Sequence, residues 1–364
     1  MLGTNSKYLK FLKLQATKRP QRIFSVNPTV IPQRPECKDI KISVCEYDGE
    51  QINSYEFTDI TDFSLFKESD RTKWINIDGI NKDIVESVCK QFNIHYLLSE
   101  DIQSVGLRPK IDEIDGHLFC LLQMLYFNKD HACVETEQVS LVLGKSYVIS
   151  FQEDPVRDVF DPVRERLKVQ TSKLRQSGAD YLLYSLLDTI VDRYYPVMED
   201  LGEKMEDLEE EVIHVPSTRS LVKINQLRKE LIVLKRTIAP VRELVNGFIK
   251  SDSDLLQENT TKFFKDIYDH VIQANDLVEN YRDMMTTMQD LYINQVNLKM
   301  NEVMKVMAIV TCLLAPAAVI GGIFGMNFEN IPALHNKYGF YAAVASMLLI
   351  PVWMLKVFKK RGWF

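Results

Sequence analysis

Few residues in this 364-residue chain are spaced for chemistry. The six cysteines (Cys37, Cys45, Cys89, Cys120, Cys133, Cys312) lie far apart and contain no C-x-x-C pair. That spacing argues against both a zinc ribbon and a disulfide framework, and it fits small core residues in a reducing compartment. The six histidines show no H-E-x-x-H or other ligand spacing. Walker loops, G-x-G-x-x-G and G-x-S-x-G are all missing, as is an aromatic-basic pattern for nucleic acid. No catalytic constellation can be assembled, so the chain reads as a non-enzyme. Asp188 and Asp192 stand one helical turn apart and residues 199–211 are strongly acidic, patterns that ordinarily make a solvated helix face. One stretch stands out: GGIFGMNFENIP at 321–332, between two long uncharged segments. Taken alone, Gly325 stops a helix and Asn327 begins a turn.

The elements around these residues divide the chain. Residues 1–36 are basic, with seven Lys or Arg and no acid before residue 36. They lack the apolar core of a secretory signal and read as a disordered or surface-lying tail, with a transit peptide as the other reading. Residues 37–155 alternate strands and helices. Ile40–Phe57 forms a hairpin about Asp48-Gly49, Lys73–Ile77 is a strand, Asn81 opens a helix, and His117–Phe127 and Val134–Phe151 form further strands, the latter broken at Gly144-Lys145. Residues 156–258 are helical, with breaks at Val215-Pro216 and at 251–254.

From Lys262 to Ala315 there is neither Gly nor Pro. A seven-residue spacing joins Phe264, Val271, Val278, Met285 and Tyr292, with Ile267, Ala274, Tyr281 and Met288 three positions on. Such a seam predicts a helix packed against partners along its length, an oligomeric stalk over 259–303.

Two segments qualify as membrane helices, 304–326 and 338–358. Val306–Phe328 and Tyr338–Leu355 carry no charge. Lys356 and Lys359-Lys360-Arg361 place the C-terminal tail, 359–364, on the cytoplasmic side. Two spans return the chain to that side, leaving 327–337 as a short outer loop. Small residues (Ala315, Ala317, Ala318, Gly321, Gly322) permit close helix contact in the first span, which also contains the polar Thr311 just beyond Asn301 and Lys305.

Gly325-Met326-Asn327 at the outer end of the first of two C-terminal spans, fed by a very long helix from an α/β region, resembles the CorA family of magnesium transporters. WINIDGI, LLSEDI, RPK, FDPVRERL, ADYLLYSL, YDH and NEVMKV resemble it too, so the likeness runs from about residue 38 to the end. The resemblance implies an α+β membrane protein: a homopentamer with a cytoplasmic α/β/α funnel domain, five long helices around a pore and an outer ring of second spans. It implies Mg2+ uptake, with Co2+ and Ni2+ as further substrates, across an inner (plasma) membrane with both termini cytoplasmic. The partners are then other copies of the chain, the lipid bilayer and divalent cations, with no nucleic acid and no organic cofactor.

Residue by residue, the resemblance makes Gly325, Met326 and Asn327 the selectivity filter, five Asn327 amides binding the waters of a hydrated ion. It makes Asn301, Met304 and Met307 the pore lining and gate; without it, the methionines would read as core packing. Glu100, Asp101 and Asp266, with Asp188 as a further candidate, become carboxylates that hold regulatory Mg2+ between subunits and close the pore. Glu329 attracts cations in the outer loop. A divalent ion gains roughly 4.6 kcal/mol per 100 mV of membrane potential, so uptake needs no nucleotide. Phe324 replaces a frequent tyrosine, Ala333 a second acid of some relatives, and Ala315 a bulky pore residue. The competing readings are a zinc transporter of the same superfamily and a non-conducting membrane-anchored sensor or scaffold.

Overall fold

The computed structural model describes residues 40–57, 71–326 and 336–363. The basic tail, most of the outer loop, and with them Asn327, Glu329 and Ala333, lie outside the described residues. The chain divides into two compact units: Met1–Glu206 with Asn225–Met285, and Asp207–Ile224 with Thr286–Phe364.

The first unit is built on a sheet. Strands β1 (Lys41–Tyr47) and β2 (Ile52–Phe57) form the expected hairpin. Asp48 turns it, its Oδ1 accepting the N–H groups of Glu50 at 2.8 Å and Gln51 at 2.7 Å. Then come β3 (Thr72–Asp78), α1 (Lys82–Gln91), α2 (Tyr96–Gln103), β4 (Lys110–Ile114), β5 (His117–Asn128), β6 (Cys133–Leu143) and β7 (Tyr147–Gln152). The order across the sheet is β2-β1-β3-β7-β6-β5-β4. Only β3 and β7 run parallel; the other pairs are antiparallel. Asn81 caps α1 by accepting the N–H of Asp83, as its position before an apolar helix face requires.

Alternation along β3 assigns its two faces. Ile75 and Ile77 join Val85 and Val88 of α1 and Leu98 and Ile102 of α2 in one core. Trp74 points the other way, edge-on to Phe160 at 5.8 Å, with its indole N–H donating to Ser150. Phe160 leads into α3 (Asp161–Lys168), and α4 (Ala179–Asp192) lies on β3, β6 and β7. Helices therefore cover both faces, an α/β/α sandwich.

Two long helices come next, α5 (Tyr194–His214) and α6 (Thr218–Lys250), interrupted at Val215-Pro216; Ser217 caps the second by accepting the N–H of Ser220. The longest, α7 (Glu258–Phe324), has 67 residues, so it is about 100 Å long. Its first turn is held by a buried carboxylate of α4: Asp180 accepts the N–H of Gln257 at 3.1 Å and the hydroxyl of Thr260 at 2.6 Å. Asp180→Ala is expected to cost about 1–2 kcal/mol, the range for a lost helix cap, and to lower the melting temperature of the purified protein.

The seam of α7 corrects one expectation. Phe264, Ile267, Val271, Ala274, Val278, Met285 and Met288 are all buried within the single chain. Phe264 stacks on Phe248 of α6 at 4.7 Å and meets Tyr184 of α4 edge-on. Over this stretch the chain's own helices supply the cover assigned to oligomeric partners. Tyr292 is only half-buried, and from Ile293 to Val306 the helix is almost entirely exposed.

In the second unit, α7 from Thr286 accompanies α8 (Gly339–Lys360). Both contain a window apolar enough to cross a membrane, of mean hydropathy 2.3 and 1.8. α7 runs unbroken through Pro316.

Candidate functional site

Along the membrane part of α7, burial separates two faces. Ile309 is buried and Leu313, Pro316 and Ile320 are half-buried, one side of the helix at steps of three and four residues. Pro316 and Ile320 share an apolar groove with Ile350 and Met354 of α8, so this is the side turned to the second span. A second row at the same period runs Asn301, Met304, Ala308, Thr311, Ala318, Gly322, Gly325, and every member is exposed; Ala315, in step with it, lines the groove shared with α8 instead. By helical period its centre is roughly 150° from that of the first row. Met307 flanks it and is also exposed. The predicted pore residues Asn301, Met304 and Met307 therefore share one uncovered, uncharged face. Thr311 donates its hydroxyl proton to the carbonyl of Met307 at 2.9 Å, the usual way a membrane helix satisfies a hydroxyl.

The row ends where the helix does. The N–H of Gly325 donates to the carbonyl of Gly321 at 2.9 Å, and that of Met326 to Ile323 at 3.3 Å, closing the last turn. A Cβ at position 325 would stand 3.0 Å from the Gly321 oxygen, so a larger residue there must push that carbonyl aside. Met326 is half exposed immediately before Asn327.

The predicted regulatory carboxylates separate into two places. Glu100 and Asp101 lie on α2, Glu100 exposed. Asp101 is paired with Lys110 of β4 at 2.7 Å, and the same ammonium holds Asp112 at 2.8 Å. Asp188, Asp192 and His270 form the other group, each offering a ligand atom within 4.8 Å of the others. Two helices build it: Asp188 and Asp192, four apart on α4, and His270 on α7, four residues after Asp266. Burial first, then the charge of Asp192, push the Asp188 carboxyl up to about 6, and Asp266 adds to the effect. Opposed carboxylates of this kind are relieved by a cation; oxygen donors suit Mg2+, while the imidazole nitrogen extends the set toward transition metals. His270 carried no role in the sequence reading. Its spacing from Asp266 within KDIYDH was the signal available, and only the packing of α4 on α7 gives that spacing meaning.

The CorA-like Mg2+ transporter protein family matches residues 69–360. The chain is 40% identical over 327 residues to the cobalt/magnesium transport protein CorA of Thermotoga maritima, covering 90% of this chain and 93% of the relative. Among solved structures, the complete CorA magnesium transporter of Methanocaldococcus jannaschii superposes with a TM-score of 0.72 at 22% identity, over 88% of this chain and 98% of that one. The cytoplasmic domain of ZntB from Vibrio parahaemolyticus matches with a TM-score of 0.55 at 14% identity, over 70% of this chain and 98% of that domain. The last two likenesses speak for the fold. A family match across most of the chain, joined to two candidate membrane helices of which the first is followed in the sequence by Gly-Met-Asn, means that the chain belongs to the CorA-like Mg2+ transporter family, which is one of transporters and not of enzymes.

Proposed function

We propose that this protein takes up Mg2+, and Co2+ and Ni2+ with it, through a pore formed by a ring of identical chains, five by family resemblance, in the inner (plasma) membrane with both termini cytoplasmic. The observation that carries the reading is the exposed row from Asn301 to Gly325, uncharged, opposite the face that meets α8, and leading to Asn327. Turned to the axis of a ring, that row lines a neutral path. Mg2+ holds its waters tightly, so a neutral lining that binds those waters releases the ion more readily than a ring of carboxylates. Met304 and Met307 supply an apolar constriction that gates by dewetting.

Closure in this proposal comes from cytoplasmic Mg2+ held between neighbouring subunits by Asp101 and Asp266, with Glu100 and Asp188 beside them. In the single chain Asp101 is engaged by Lys110, so bound metal exchanges one cation for another at that carboxylate. Outside, Glu329 raises the local concentration of cations.

The test is Mg2+ influx into dye-loaded liposomes containing the purified protein, at low internal Mg2+ and an imposed inside-negative potential. Influx supports the reading; its absence favours a non-conducting sensor, and influx of Zn2+ alone favours the zinc branch. Gly325→Val is expected to reduce influx at least about tenfold with oligomer size unchanged, because a Cβ tight against the Gly321 carbonyl shifts the turn that leads to Asn327.

A further inference from the structure

Glu137 lies in the middle of β6, two residues before Val139, which pairs with Gln152 at the end of β7, and is 3% exposed. Its Oε1 accepts the N–H groups of Glu153 at 3.0 Å and Asp154 at 2.9 Å, the two residues after β7. Its Oε2 is 2.9 Å from the hydroxyl oxygen of Tyr126 on β5, and that same oxygen is 2.7 Å from the carbonyl oxygen of Arg157. A phenol has one proton to donate. Given to an ionised Glu137, it leaves the Arg157 carbonyl facing a lone pair; given to Arg157, it leaves the carboxylate facing one. Only a protonated Glu137 satisfies both contacts, donating from Oε2 to Tyr126 while Tyr126 donates to Arg157.

The charges around it are otherwise committed. The Arg157 guanidinium holds Glu135 of β6 at 2.6 Å and Asp154 at 3.4 Å and lies over the Tyr126 ring at 5.0 Å. Glu153 and Asp154 add negative charge beside the carboxyl.

We propose that Glu137 carries a proton in mildly acidic solution and loses it across neutral pH, and that its ionisation releases residues 153–157 from the sheet, so that this junction is a pH-sensitive clasp. Burial first, and the charges of Glu153 and Asp154 against the pull of its hydrogen-bond donors, push the carboxyl up to about 7 from an ordinary 4.5. A folded value above the unfolded one gives a contribution to stability that is complete below about 4.5 and lost as pH rises through about 7. The clasp therefore opens toward alkaline pH.

Hydrogen exchange of the full-length protein in detergent tests this at the amides of Glu153, Asp154, Val156 and Arg157, corrected for the intrinsic rate at each pH. Between pH 6 and pH 8 the neutral fraction of a group titrating near 7 falls about tenfold, and protection is expected to fall with it. Glu137→Gln should hold its protection at both values, because the amide oxygen accepts the same two N–H groups and the amide nitrogen donates to Tyr126. Protection of the wild type that does not change with pH, or a glutamine variant as pH-dependent as the wild type, overturns the proposal. The wild type labelled with 13C-glutamate supplies a reading that needs no variant: the infrared band of a neutral glutamic acid should titrate near pH 7. The label separates it from the aspartic acids Asp78, buried, and Asp188, half-buried, and absence of the band at pH 6 overturns the proposal equally.

Discussion

Asn327→Ala is expected to abolish Mg2+ influx while leaving the oligomer intact. In the proposed ring of five chains, the substitution removes an amide that binds the water shell of the ion and leaves a methyl group that binds nothing. A neutral hydrogen bond contributes about 1 kcal/mol, so five symmetry-related losses sum to roughly 5 kcal/mol, a change in ion occupancy of more than a thousandfold. The measurement is the liposome influx assay beside size-exclusion chromatography of the same sample. Influx of the alanine variant within tenfold of the wild type would place selection elsewhere along the α7 row. Loss of assembly instead of influx would make the residue structural.

The second large effect concerns closure. Asp101→Asn combined with Asp266→Asn is expected to leave influx running at internal Mg2+ concentrations that silence the wild type, because the two carboxylates that hold the metal in the proposed contact are gone, leaving only Glu100 and Asp188 beside it. The same pair should remove the metal-linked gain in stability. For a site filled at a hundred times its dissociation constant that gain is about 2.7 kcal/mol, read as a rise in melting temperature on adding Mg2+ to the purified protein. A double variant that still closes, or whose melting temperature still rises with Mg2+ as the wild type's does, transfers regulation to the group at Asp188, Asp192 and His270. In one chain that group is already assembled, with its carboxylates in mutual repulsion.

Much of the fold was legible because local chemistry and tertiary need agree. Asp48-Gly49 turns the first hairpin, Asn81 caps α1, and Val215-Pro216 separates α5 from α6. Within residues 37–155, two elements were not separately read. Helix α2 has only eight residues and is capped by the imidazole of His95 accepting the N–H of Leu97, a residue type that gives no start signal in sequence. Strand β4 has five residues, none of them buried, so it lacks the alternation that marks a half-buried strand. The heptad seam misled for a different reason. Period alone reports that a face is covered, and cannot say whether the cover belongs to the same chain or to another.

The site shows the same division. Small and polar residues in the first span were visible as a composition, but their alignment into one exposed row needed the position of α8 to define the opposite face. Asp188 and Asp192 read as a solvated pair until α7 brought His270 to them. The pairing of Asp101 with Lys110 joins α2 to an edge strand that the sequence did not reveal.

Thr311 has given its one proton to the backbone, and it turns lone pairs alone outward. In the proposed ring its copies make a collar that can only accept. Such a collar welcomes the outward hydrogens of water around a cation and offers none of its own hydrogens to chloride or phosphate. A pore can thus discriminate by the sign of charge at a level where it carries no charge at all.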